Sequence, residues 1–294
     1  MNAPASPICW LNGRFLPLAE ASIPVLDRGF IFGDGVYEVI PVYGRQPFRL
    51  AEHLARLARS LAAVRITNPH DDATWTSLIT ELVARQDFSD QSVYIQVTRG
   101  VAKRDHAFPK DTVPTVFMMS NALVTPPAAL VDSGVAAITA TDNRWLRCDV
   151  KATALLANVL LKQLAVDAGA AEVVLLRDGP DAAAPRRLTE GSSSNIFVVR
   201  DGAIATPKRD HFVLPGITLD VVAELARTAG IPFDERDITE ADVRAADELW
   251  LASSTREVLA ITSLDGRPVG IGMPGPMYRR MITLFQQHKS ERRP

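Results

Sequence analysis

The chain has 294 residues, with 32 Lys+Arg against 34 Asp+Glu and a formal net charge of −2, a balance that argues against nucleic-acid binding, whose mark is a basic surface. Hydrophobic residues make up 47% and charged residues 22%, the composition of a chain that buries a core rather than one that stays disordered. No apolar run approaches the ~20 residues of a membrane span, and the opening MNAPASPICW lacks the basic and apolar regions of a secretion signal, so the expected setting is soluble and cytoplasmic. In chain order, Cys9 to Leu11 and Arg14 to Leu16 flank Asn12-Gly13 as a hairpin. Val36 to Val42 and Pro47 to Leu50 flank Tyr43-Gly44-Arg45 as another. Leu50, Leu54, Leu57, Leu61 and Val64 recur at helical spacing and place the arginines of that stretch largely on the other faces. A second helix is expected over Thr74 to Ala84, then strands at Ser92 to Arg99 and Thr115 to Ser120. The loop between those strands holds Lys103, Arg104, Asp105 and His106.

Asn121 to Pro127 carries two consecutive prolines and divides the chain into a smaller N-terminal domain, 1–120, a linker, 121–127, and a larger C-terminal domain, 128–294. The second half alternates helices with strands: a helix over Ala152 to Ala168, strands at Glu172 to Leu176 and Ile196 to Val199, and a helix over Thr218 to Ala229. A strand at Glu248 to Ala252 and a helix over Met277 to Gln287 follow. The small-residue stretch Gly179 to Arg187 reads as a surface loop. Cys9 and Cys148 lie far apart, with no metal-ligand spacing, so neither a disulfide framework nor a metal site is expected.

Lys151 is the residue that asks for a chemical reason. Asp149 is a plausible N-cap and the lysine would fall in the first helical turn, where the helix dipole disfavours a cation. In a dry site both effects lower an amine pKa and expose a nucleophile suited to Schiff-base chemistry; the alternative is an ordinary solvated lysine. Downstream, Thr189-Glu190-Gly191-Ser192-Ser193-Ser194-Asn195 takes a carboxylate into a small-residue turn. It is either an ordinary polar turn or a partner for a pyridinium nitrogen. Leu214-Pro215-Gly216-Ile217-Thr218 runs into a helix whose free N–H groups suit an anion, and Ser253-Ser254-Thr255 ends a strand with hydroxyls and amides. Arg56 could supply the cation, or simply belong to a solvated face. Lysine, acid, anion-binding helix end and arginine together suggest a pyridoxal phosphate site.

The motifs Asp27-Arg28-Gly29-Phe30-Ile31-Phe32-Gly33-Asp34-Gly35-Val36-Tyr37-Glu38-Val39, Glu52-His53-Leu54-Ala55-Arg56-Leu57 and Gln96-Val97-Thr98-Arg99-Gly100 lie in the first half. Arg144-Trp145-Leu146-Arg147-Cys148-Asp149-Val150-Lys151 and Thr189-Glu190-Gly191-Ser192-Ser193-Ser194-Asn195 follow. On these motifs, in this order and across nearly the whole chain, the sequence resembles the fold-type IV pyridoxal-phosphate enzymes, and within them the D-amino acid (D-alanine) aminotransferases. The resemblance implies an α+β, two-domain fold with pyridoxal 5′-phosphate between the domains. It implies that Lys151 forms the internal aldimine and shuttles the substrate proton, and that Glu190 pairs with the pyridine nitrogen. Arg56, Ile217, Thr218, Ser253 and Ser254 match phosphate-binding positions, and Leu214 matches the residue packed on the ring. Gly216 is then explained by a helix end too close to phosphate for a side chain.

On the substrate side the resemblance implies that Tyr37, Arg104 and His106 trap the α-carboxylate, with Ser193 also at the substrate. The arginine-histidine loop would be lent by the neighbouring subunit of a homodimer. The partners are then a small-molecule amino donor and a 2-oxo acid such as 2-oxoglutarate or pyruvate, with no nucleic acid and no membrane. Pro41 departs from the pattern: the compared D-alanine aminotransferases have a lysine there, so a charge near the trap is missing. Ala152 and Pro215 replace a serine and a lysine found in relatives, at positions with no essential cofactor contact. Three other activities share this cofactor site: an R-selective amine transaminase, which Pro41 would suit; a branched-chain L-amino acid aminotransferase, against which EGSSSN and the Arg-x-His trap argue; and a 4-amino-4-deoxychorismate lyase. A non-catalytic cofactor carrier is countered by the presence of both Lys151 and Glu190.

Overall fold

The computed structural model describes residues 7–179, 181 and 184–291. Residues 1–6, which open the sequence, and 180, 182 and 183 of the expected surface loop lie outside the described residues. Two compact units divide the chain. The first takes residues up to Val124 together with Val150–Leu155, and the second takes Thr125–Asp149 and Leu156–Glu291. The division therefore falls inside the stretch 121–127, and a short segment around Lys151 belongs with the N-terminal residues.

In the first unit, β1 (Ile8–Leu11) and β2 (Arg14–Pro17) are joined through Asn12 and Gly13, both in the left-handed region at φ 47° and 93°, as a two-residue hairpin requires. α1 (Arg28–Phe32) precedes β3 (Gly35–Tyr43), which turns back through Gly44 and Arg45 into β4 (Gln46–Pro47). α2 (Leu50–Ala63) and α3 (Asp72–Ala84) lead to β5 (Gln91–Thr98) and β6 (Thr115–Ala122). The strands form one antiparallel sheet in the order β2-β1-β6-β5-β3-β4.

Strand alternation sets the two faces of this sheet. Val36, Ile40, Val42, Val93, Ile95, Val97, Val116 and Met118 are buried and share a core with Leu54, Leu57 and Leu61 of α2 and Trp75, Ile79 and Leu82 of α3. Each fully buried leucine contributes about 2 kcal/mol. Tyr37, Val39, Tyr94, Gln96 and Phe117 occupy the other, half-buried face. Glu38 breaks the pattern, because it points with the core residues and is completely buried.

The second unit contains α4 (Ala128–Ser133), β7 (Val135–Thr141), α5 (Leu156–Asp167), β8 (Glu172–Arg177), β9 (Arg187–Gly191), β10 (Asn195–Arg200) and β11 (Ala203–Pro207). It continues with α6 (Ile217–Thr228), β12 (Phe233–Arg236), α7 (Glu240–Arg244), β13 (Glu248–Ser253), β14 (Glu257–Leu264), β15 (Arg267–Pro268) and α8 (Pro276–Ser290). The sheet runs β12-β11-β10-β13-β14-β7-β8-β9, with β15 beside β14. The pairs β11/β12, β14/β7 and β7/β8 are parallel. β8, β10 and β13 are buried almost throughout, which is why they read as continuous apolar runs instead of alternating ones.

The helix expected over Ala152 to Ala168 begins four residues later, at Leu156. Lys151 lies in no helical turn, and the dipole argument for its amine does not hold. Instead the segment pairs with β3: Ala152 bridges Val36, the Tyr37 N–H donates to the Lys151 carbonyl at 2.9 Å, and the Thr153 N–H donates to the Gly35 carbonyl at 3.0 Å. Apolar residues at helical spacing predicted the helix, but the β3 edge offers the backbone of 151–153 a competing set of hydrogen bonds. No helix among the described residues is long and apolar enough to cross a membrane.

Candidate active site

Lys151 is half-buried in the first unit. Its backbone N–H donates to Ser60 Oγ at 3.3 Å, and its Nζ lies 4.2 Å from the centroid of the Tyr37 ring. Tyr37 in turn lies 5.7 Å from the Tyr94 ring, whose hydroxyl donates to Gln96 Oε1 at 2.7 Å. Burial, with Tyr37 nearby, pushes the Tyr94 phenol up to about 12, so it stays a neutral donor.

Arg56 is not on a solvated face. His53, Arg56 and Ser60 form a buried polar stripe at i, i+3 and i+7 beside the leucine stripe of α2. Arg56 donates through Nε and another guanidinium nitrogen to the two oxygens of Glu38, at 2.7 and 2.8 Å. His53 Nδ1 stands 2.9 Å from the same carboxylate. Burial would raise the Glu38 pKa, but Arg56 and His53 outweigh it and hold the carboxyl well below the ordinary range. Burial lowers the His53 pKa against the pull of Glu38, with Arg56 and Lys151 adding to the effect. A neutral His53 that donates Nδ1–H to Glu38 has a lone pair on Nε2, and that buried atom has no hydrogen-bond partner.

In the second unit, Glu190 sits on β9 rather than in a solvated turn, and it is buried. It accepts from Arg144 Nη1, from Asn195 Nδ2 at 3.4 Å and from the Leu214 N–H at 3.1 Å. Burial lifts its pKa, partly offset by Arg144, whose guanidinium forms an ion pair with it. Arg144 is held from behind by Asp142, through Nε at 2.9 Å and Nη2 at 3.0 Å. The Asp142 carboxyl, although buried, is held down to about 2 by Arg144 and its other donors. Sequence reading does not single out Arg144 and Asp142 individually; two residues apart in a loop, they carry no spacing signal toward Glu190, 46 residues from Arg144.

Asn195 organises the rest. Its Nδ2 donates to the Leu214 carbonyl at 3.0 Å, and its backbone pairs with Ala252, next to Ser253. A Cβ at Gly216 would stand 1.9 Å from Asn195 Oδ1, so this asparagine already requires the glycine. Gly216 is the N-cap of α6 and no side chain caps that helix, leaving first-turn N–H groups for an anion. Ile217 and Thr218 are buried in that first turn. Ser253 Oγ accepts from the Arg256 N–H at 3.3 Å, and Ser254 follows in the turn. Arg256 also donates to Ser193 Oγ at 3.0 Å and reaches the buried Glu172, which accepts from Ser194 Oγ at 2.7 Å and from Ser192.

The substrate-side residues fall into two sets. Tyr37 stands with Lys151 and Tyr94. Arg104 and His106 are exposed and gather on Phe32, with the Arg104 guanidinium 5.4 Å from its centroid and the His106 ring also at 5.4 Å. Among the described residues, no group of three or more His, Cys, Asp or Glu could hold a metal ion.

A family model described as amino-transferase class IV matches residues 35–264. A D-alanine aminotransferase of Bacillus licheniformis is 40% identical over 275 residues, covering 94% of each chain. One from Staphylococcus aureus (strain MW2) is 37% identical, over 95% of this chain and 96% of the other. Among solved structures, a T.th. branched-chain amino acid aminotransferase with pyridoxamine 5′-phosphate superposes with a TM-score of 0.88, at 27% identity over 98% of this chain and 96% of that one.

Proposed function

The chain belongs to the class IV aminotransferases, and on that premise we propose that it moves the amino group of a D-amino acid such as D-alanine to a 2-oxo acid with pyridoxal 5′-phosphate as cofactor. The observation that carries this reading is the half-buried Lys151 amine on the Tyr37 ring. The residues present fit the cofactor: an uncapped helix start for an anion, and a buried carboxylate ion-paired with Arg144 that can accept from a protonated ring nitrogen. Arg56, Ile217, Thr218, Ser253 and Ser254 would hold the phosphate, Leu214 the ring face, and Glu190 the ring nitrogen.

When bound, the cofactor supplies a carbonyl for amine exchange and an electron sink for the α-carbanion. The protein does the rest. Glu190, backed by Arg144, keeps the ring nitrogen protonated. The Lys151 amine removes the proton from the substrate Cα and returns it on the other side of the exchange. Tyr37, Arg104 and His106 fix the α-carboxylate, Arg104 bidentately. Ser193 stands at the substrate in the same scheme, and the direction of the carboxylate sets selectivity for the D-enantiomer.

A homodimer completes the site, with Arg104 and His106 serving the neighbouring subunit. Leu156, Val159, Leu160 and Leu164 leave an apolar stripe along α5, between 47% and 72% exposed, and Phe30 is 70% exposed; apolar surface of this kind suits a second copy. Cys9 and Cys148, buried free thiols, fit a reducing cytoplasmic setting.

The test is the visible spectrum of the loaded enzyme, titrated separately with D-alanine, L-leucine and an R-configured primary amine, without oxo acid. Loss of the band with D-alanine is expected. Loss with L-leucine alone would move the reading to the branched-chain class, and loss with the amine alone to amine transamination at Pro41. Lys151→Ala is expected to remove both band and turnover; wild-type turnover in that variant would refute the mechanism.

A further inference from the structure

The 16 residues between β5 and β6 carry Arg104 and His106, and a loop of that length is costly to hold still, at about 1 kcal/mol of backbone entropy per ordered residue. What holds it is built from residues with no role in the mechanism above. Arg28, only 4% exposed, donates Nη1 to the Asp105 carbonyl at 2.6 Å, between Arg104 and His106 in the chain. Its Nε donates to Asp34 Oδ2 at 2.7 Å, and its guanidinium lies 4.8 Å from the Phe32 centroid, the ring on which Arg104 and His106 gather.

Asp34 also receives Arg99, from Nε at 2.8 Å and Nη2 at 3.0 Å. Arg99, likewise buried, donates to the carbonyls of Val64 at 2.8 Å and Arg65 at 2.9 Å, just beyond the end of α2. Phe108, two residues beyond His106, covers it: its centroid is 3.7 Å from the Arg99 guanidinium and 4.6 Å from that of Arg65. The two cations do not repel across empty space, because Asp34 lies between Arg28 and Arg99. Asp34 stands three residues before Tyr37 on the way into β3, so one carboxylate fixes the strand start and, through two arginines, the loop.

We propose that Arg28, Asp34, Arg99 and Phe108 are positioning residues that hold Arg104 and His106 ready for the substrate carboxylate. The inference rests on the carboxylate-trap reading given above. Pre-ordering of this kind is felt in substrate binding, since a disordered loop must be ordered at each encounter. Phe108, 46% exposed, is the cleanest handle, because its removal leaves the buried ion pairs intact. Arg28→Lys keeps the charge and loses the fork that reaches both Asp34 and the loop carbonyl.

The experiment compares Phe108→Ala, Phe108→Trp, Arg28→Lys and Arg104→Lys in the holoenzyme, with KM and kcat for D-alanine, inhibition by propanoate, thermal midpoint, and amide hydrogen exchange over 100–113. Phe108→Ala and Arg28→Lys are expected to raise KM and the propanoate inhibition constant about tenfold. Kcat should stay within twofold, exchange in the loop should speed up, and Phe108→Trp should restore KM. If Arg104→Lys raises KM and the two anchor variants do not, the positioning role is refuted while the trap stands. If Arg104→Lys itself leaves KM unchanged, the trap reading falls and the inference with it. A fall in kcat and thermal midpoint with KM unchanged would make the anchor merely structural and overturn the proposal.

Discussion

Replacing Glu38 by glutamine should be among the most destabilising single-atom changes in the first unit. The carboxylate accepts three donors, two from Arg56 and one from His53, in a site where Glu38 is fully buried and Arg56 nearly so. An amide keeps one acceptor oxygen and turns an N–H₂ toward donors, so at least one Arg56 bond is lost. The larger effect is that the guanidinium keeps its charge with its counter-ion gone. Breaking a buried pair from one side costs about 3 to 5 kcal/mol, which at a urea slope of about 2 to 3 kcal/mol/M moves the unfolding midpoint down by about 1 to 2.5 M. The assay is urea unfolding of the cofactor-free protein at neutral pH, followed by near-ultraviolet circular dichroism. Glu38→Gln combined with Arg56→Met should regain at least half of the loss, since the buried cation is then removed as well. A single variant within 1 kcal/mol of wild type, or a double variant no better than the worse single one, would refute the picture of a desolvated pair.

Gly29→Ala places a Cβ 2.3 Å from Thr98 Cγ2 and should cost about 1 to 3 kcal/mol by overpacking; Thr98→Ser, which removes that methyl and keeps the hydroxyl bonded to Asp27, should rescue it, and unfolding of the four variants checks the cycle. Gly216→Ala forces Asn195 away from its bonds to Leu214 and Glu190, so cofactor affinity should fall at least tenfold by equilibrium dialysis, and unchanged affinity would show that Asn195 does not organise the site. The Asp142 carboxyl titrates at about 2 when folded, below its ordinary 3.8, so it contributes stability above about pH 4 that is lost as the pH falls toward 2, about 2 kcal/mol in all. Asp142→Asn should therefore flatten that part of the stability curve, and a curve parallel to wild type would remove the assignment.

Several elements can be read from local pattern because their causes are local. The Asn12-Gly13 and Gly44-Arg45 hairpins follow from residues at or beside positions of positive φ, and α2 and α6 follow from apolar spacing. β7, β9, β11 and β14 escape such a reading. β7 is rich in alanine and threonine and β9 begins in charge, so each becomes a strand through its neighbours in the sheet rather than through its own propensity.

The candidate site divides along the same line. Residue types and order in the sequence single out Lys151, Glu190, the Gly216-Ile217-Thr218 helix start and the Arg104-Asp105-His106 loop. Only tertiary structure decided how each is held. Lys151 lies outside the helix because β3 offers its backbone partners that a helix would have had to outcompete. Arg56 is buried because Glu38 faces it from the core side of β3, a pairing across 18 residues that no periodicity within α2 encodes. Glu190 is backed by Arg144 and Asp142, and the Arg104–His106 loop by Arg28, Asp34, Arg99 and Phe108, through contacts between segments far apart in the chain. Hydrophobic period and turn chemistry act within a few residues and are written in the sequence; the charge on a buried group is set by whichever distant chain segment replaces its lost water, and that is known only when the chain has folded.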